Sequence, residues 1–135
     1  QDVRPLCFMT CYDVQKDSVM QTRTEALYRL SRSKFRSSFH LNEQDRKYVR
    51  EKGMDTIRAH AYDFVRTRLA PAWPDNDGKQ TPMKGHPVFK AQHACACCCR
   101  GCLEKWYKVR KGTELTELQQ EKIVNLLMAW IEKQL

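Results

Sequence analysis

The stretch LNEQDRKYVREKG, residues 41 to 53, writes a helix with both ends marked. Asn42 can cap the free amides, Glu43 and Asp45 stand at the positive end of the helix dipole, and Gly53 supplies a left-handed stop. A second helix follows at once: Asp55 is its expected cap, Ile57, Ala61, Phe64, Val65 and Leu69 form one apolar stripe, and Pro71 ends it. Nowhere does the chain alternate apolar and polar residues as a half-buried strand does, and no repeat occurs. These patterns predict an all-α fold, a compact single-domain bundle of about five helices.

The remaining helices follow the same logic. From Thr24 the apolar residues Ala26, Leu27 and Leu30, then Phe35 and Phe39, recur at helical spacing, and the basic helix is expected to run to Ser37. Pro87 suits the first position of a helix that is expected to continue through the cysteines to about Lys108, with a break near Gly101. Thr116 and Gln119 make a capping-box pattern ahead of the last helix, where Ile123, Leu126, Leu127, Trp130 and Ile131 share a face. From Ala70 through Pro87 runs one long stretch holding four of the five prolines, so no element is assigned to it ahead of Pro87. Loops of this length are commonly functional. Trp73 suggests that this one packs down. Residues 1 to 22 have no clear period and read as an N-terminal arm, with residues 23 to 135 the helical domain.

Five of the seven cysteines and two of the four histidines fall between residues 85 and 108. On a continuous helix Cys95, Cys98, Cys99 and Cys102 would share one face. Three readings compete. Free cysteines behave as small hydrophobes, so a buried packing stripe is favoured. Zinc needs four converging nitrogen or sulfur ligands, which one straight helix seldom presents. A metal site drawing on His93, Cys98, Cys99 and Cys102 would have to recruit His86 from the preceding turn, or Cys7 and Cys11, themselves spaced by four, from the arm. Redox or nucleophilic chemistry is the third. Four thiols crowded between Cys95 and Cys99 are not a secreted disulfide framework, so an intracellular, reducing compartment is expected.

The polar residues from which a pocket could be assembled are His40, His60, Asp63, Asp77, Lys84, His86, His93 and Arg100. His60, Asp63, His93 and Arg100 are the catalytic candidates, because His60 and Asp63 are three apart on a helix and a carboxylate orients an imidazole for proton transfer. The same contact equally satisfies a half-buried histidine. No Gly-rich phosphate loop, HExxH or GxSxG pattern is present.

The segments LSRSKFRSSFHL, DTIRAHAYDFVRTRLAPA, NDGKQTPMKGHPVF and AQHACACCCRGCLEKWYKV resemble a small family of bacterial and protist proteins known only as a domain of unknown function. The resemblance runs from about Leu30 to the C-terminus. The family pattern carries Thr at Cys95 and Cys97 and His at Tyr107, and matches at Cys98, Cys99, Arg100, Cys102, Lys105 and Trp106. It implies a compact helical domain and brings no activity, cofactor or partner with it.

A net charge of +8 favours acidic partners. The cations form two groups, Arg23 to Arg36 and Arg100 to Lys111, the second interleaved with Trp106 and Tyr107. The longest apolar run, IVNLLMAWI, is about half a membrane span, so none is expected. The reading favoured is a non-catalytic accessory subunit that docks into a larger assembly through Leu6 and Phe8 of the arm and through Arg23, Arg29, Arg32, Lys34 and Arg36. A first residue of Gln admits an imported chain, so a mitochondrial complex is its specific version. Nucleic-acid binding and a metal- or thiol-dependent enzyme are the alternatives.

Overall fold

The computed structural model of the protein describes residues 22 to 135. The arm residues Leu6, Cys7, Phe8 and Cys11 lie outside them. The described residues form six α-helices and no strand: α1 (Arg23–Ser31), α2 (Glu43–Lys52), α3 (Met54–Phe64), α4 (Pro87–Ala94), α5 (Arg100–Tyr107) and α6 (Glu117–Gln134). None is long and apolar enough to cross a membrane.

Helix starts follow local chemistry. Capping boxes open α1 at Thr22 and Glu25, α2 at Asn42 and Asp45, and α6 at Thr116 and Gln119. Gly53, at φ +88°, both ends α2 and begins α3. Asp55, the expected cap, stands inside the first turn of α3 instead. The basic helix does not reach Ser37. It stops at Ser31, and a short 3-10 turn, Arg36–Ser38, follows. Serine hydroxyls explain the stop by competing for backbone groups. Ser31 Oγ donates to Tyr28 O at 2.6 Å, Ser33 Oγ accepts from Arg36 N at 3.1 Å, and Ser38 Oγ donates to Phe35 O at 2.5 Å. At its far end α3 widens into a π turn, Val65–Leu69, closed by Ala70 N to Val65 O at 2.8 Å just before Pro71.

Helix α6 is the hub, packing against α1, α3 and α4. Being enclosed on several sides, it buries Val124 and Met128 as well as Ile123, Leu126, Leu127 and Ile131. Trp130 sits at its rim, half-buried. Asn125, the polar interruption in this helix, accepts from the Arg58 guanidinium of α3. Lys90 of α4 pairs with Asp45 of α2, both mostly buried.

The largest departure from the sequence reading is the cysteine segment. It is two helices, with residues 95 to 99 forming a link between them and Ala96 in the left-handed region at φ +59°. All but Cys99 of this link is buried. A buried link must pair its backbone polar groups, and distant side chains do so. Tyr107 Oη donates to Cys95 O at 2.5 Å, Gln92 Nε2 to Cys97 O at 3.2 Å and Thr81 Oγ1 to Cys98 O at 2.8 Å.

Arg100, at 0% exposure, is a second such device. Its guanidinium donates to Leu69 O (3.5 Å), Ala70 O (3.4 Å) and Pro71 O (2.7 Å) at the end of the π turn, and to Arg110 O (2.8 Å) and Thr113 O (2.7 Å) beyond α5. Asp77 accepts from its backbone N–H. Trp73, by contrast, is 75% exposed, with one edge lying over Gly112.

Two stability predictions follow from this packing. Arg100→Lys should cost at least about 2 kcal/mol in urea unfolding, since one ammonium cannot serve both sets of carbonyls; a loss within experimental error would contradict the pinning role. Leu127→Ala should cost about 2 to 5 kcal/mol and Trp130→Ala clearly less, because Leu127 is fully enclosed and Trp130 is not.

Candidate metal centre

Where the link meets α5, three cysteines converge. Cys98 ends the buried link. Cys99 is the N-cap of α5, its Sγ accepting from Cys102 N at 3.4 Å, and Cys102 stands in the first turn. The Sγ atoms of Cys98, Cys99 and Cys102 all lie within 4.8 Å of one another, and Cys98 and Cys102 are 3.5 Å apart. Tetrahedral zinc at about 2.3 Å from each sulfur requires sulfurs about 3.8 Å apart. The spacing therefore brackets what a soft ion needs. This cluster could hold a metal, and it exists because the chain breaks where a single helix was expected.

Two sources of positive potential face the sulfurs. One is the N-terminus of α5, the positive end of its dipole, where the Cys102 N–H already donates to Cys99 Sγ. The other is Arg36, grouped by sequence with the exposed cations but in fact 9% exposed. Its guanidinium donates to His93 O at 2.7 Å, Cys102 Sγ at 3.1 Å and Cys98 Sγ at 3.7 Å. Burial opposes the Arg36 cation, but the Cys102 and Cys98 sulfurs more than offset it and its pKa is raised. No local signal marks Arg36 for this position, because its partners are 57 to 66 residues away.

The histidines expected at a metal are elsewhere. His93 Nε2 lies 3.0 Å from Thr81 O and 3.2 Å from Pro82 O, and its ring stacks on Phe39. His86 caps α4: Nδ1 accepts from Val88 N at 3.0 Å. The proton of His86 is therefore on Nε2, which donates to His60 Nδ1 at 3.0 Å. Tyr48, Phe64 and Phe89 surround the ring. The expected His60–Asp63 contact is replaced on both sides, since Asp63 pairs with Arg66. Arg100 is committed to carbonyls. His40 and Lys84 are exposed, on the rims of two different clefts. Cys95 and Cys97 are fully buried, and burial pushes both thiols up, so they stay protonated as apolar filling.

Among the expected docking cations, Arg23, Arg29, Arg32 and Lys34 are exposed. Arg29 crosses to α5, donating to Trp106 O at 3.4 Å with its guanidinium 5.3 Å from the Trp106 ring centre. The first basic group thus touches, at Trp106, the segment that carries the second.

Fold and site together define a small all-α domain with a three-thiol cluster at a helix N-terminus. Residues 24–132 match the family described as Domain of unknown function (DUF4186), and the chain belongs to that family. No solved structure matches the chain.

The His60–His86 pair makes a pH prediction. Burial first, then the neighbouring His60, lowers the His86 pKa from 6.5 to about 4 against a weaker pull from Asp45. The unfolded chain binds the proton at higher pH than the folded one. Stability is then complete above about pH 6.5 and falls as pH drops toward 4. Urea midpoints measured across that interval should decline, and His86→Asn, which keeps a cap for α4 but cannot titrate, should flatten the profile.

Proposed function

We propose that the chain is a non-catalytic, metal-tied helical domain in which Cys98, Cys99 and Cys102 hold one divalent soft ion, zinc by its chemistry. The observation that carries this is the convergence of three sulfurs within 4.8 Å, beside the Arg36 guanidinium. Three thiolates around a divalent ion leave one negative charge, and the Arg36 cation cancels it. A monovalent ion such as copper(I) would leave a second charge uncompensated in a half-buried site. The ion would fasten the link to α5 and, through Arg36, to the turn after α1. The reading is non-catalytic because His60, His86, His93 and Arg100 are spent on each other or on backbone groups. The exposed cations Arg29, Arg32 and Lys34 support an accessory role in which this face meets an acidic partner.

Protein purified under reducing conditions should carry about one zinc per chain, and cobalt(II) substitution should give thiolate charge-transfer and tetrahedral d–d bands. Cys98→Ser, Cys99→Ser and Cys102→Ser should each lose most of the metal, while Cys95→Ser should not. The Cys7→Ser, Cys11→Ser double variant tells whether those residues or water supply the fourth donor. Native protein that takes up no zinc or cobalt overturns the proposal, whatever the variants do.

A further inference from the structure

We infer that the face formed by α1, the turn after it and α5 binds single-stranded nucleic acid. The inference uses the accessory-domain reading only for this face and is independent of the metal. Arg23, Arg29, Arg32 and Lys34 are exposed and have no acidic partner among the described residues. Interleaved with them are flat rings that the fold leaves open: Tyr28 is 61% exposed and Phe35 54%. Single exposed apolar residues are ordinary. These rings are not scattered, because cations and aromatics make a strip of two groups, Tyr28 with Arg32 and Phe35 with Arg36, Trp106 and Arg29, both of which reach the same cleft. Arg32 lies 5.8 Å from the Tyr28 ring centre and donates to its hydroxyl at 3.1 Å. Arg36 lies 5.0 Å from the Phe35 ring centre and 6.0 Å from that of Trp106, over which Arg29 also lies. Phe35 in turn meets Phe39 edge-on at 5.2 Å.

Beside the strip is a cleft of about 490 Å³, lined by Leu27, Tyr28, Phe39, Trp130 and Lys133 among others. Tyr28, Phe39 and Trp130 put three rings in its lining and Lys133 adds a cation, so unstacked bases have rings to lie on while phosphates meet Lys133 and the exposed cations of the strip. A duplex keeps its bases stacked on one another and would gain only the phosphate contacts. An acidic peptide would satisfy the cations and leave the open faces of Tyr28 and Phe35 without a purpose. Single strands use both.

The test is fluorescence anisotropy of a labelled oligouridylate with the full chain, over a range of salt. Binding should weaken linearly in log–log form as salt rises, with a shallower slope for the Arg32→Gln, Lys34→Gln variant. Tyr28→Ala should weaken binding about five- to hundredfold at every salt concentration, with an unchanged circular dichroism spectrum. No binding at low salt overturns the inference. Equal affinity for a duplex of the same length, or tighter binding of poly-glutamate with Tyr28→Ala neutral, overturns it in favour of a general polyanion or an acidic protein surface. Zinc content is measured on the same samples. Tyr28 touches none of the sulfurs, so loss of RNA binding with metal retained, or the converse, shows which of the two readings has failed.

Discussion

A single buried guanidinium holds three separate pieces of this chain in register. Arg100 has no carboxylate paired with its side chain among the described residues; its two terminal nitrogens donate to carbonyls from the end of the π turn and from the segment after α5, and its Nε is buried without a hydrogen-bond partner. Burial lowers its pKa, with Asp77 and Glu104 acting the other way, yet an arginine keeps its charge in such surroundings. That charge makes five modest contacts matter together. Carbonyls freed by a proline and by irregular backbone would otherwise be buried unpaired. Because Arg100 is also the first residue of α5, the same group fixes where that helix begins, and hence where Cys99 and Cys102 stand.

The cysteine link depends on the same kind of exchange at shorter range. Its sequence contains nothing that breaks a helix between Cys95 and Cys99. The break becomes stable because Thr81, Gln92 and Tyr107 satisfy its carbonyls, which offsets the roughly 1 to 2 kcal/mol that a left-handed Ala96 costs. Small side chains suit a link enclosed on all sides. Cys95 fills that space as the packing reading supposed, and Cys97, which that reading left off the stripe, is buried with it. Cys98, Cys99 and Cys102 are instead turned toward each other by a bend that the packing reading did not contain.

This division marks what was legible in the sequence. Helix ends written in adjacent residues were readable: Asn42, Gly53, Pro87, Thr116 and the all-α class itself. So were most core positions of α3 and α6, because 3.6-residue periodicity is a local signal. What was hidden depends on partners far along the chain. Arg36 looked like one more surface cation and is buried against sulfurs 62 and 66 residues away. His60 looked suited to Asp63 but meets His86 across 26 residues. Serine-driven termination after Ser31 was a local signal, and the spacing of Phe35 and Phe39 outweighed it in the reading.

Because α6 is the hub, the order of synthesis bears on how this domain comes to exist. Helices α1, α3 and α4 emerge from the ribosome before the surface they share. Until α6 is made, Ile57, Leu69 and Val88 have no completed core to enter and remain open to water or to chaperones. Folding of the whole bundle therefore waits on α6, since the chain made before Thr116 lacks the helix against which α1, α3 and α4 pack.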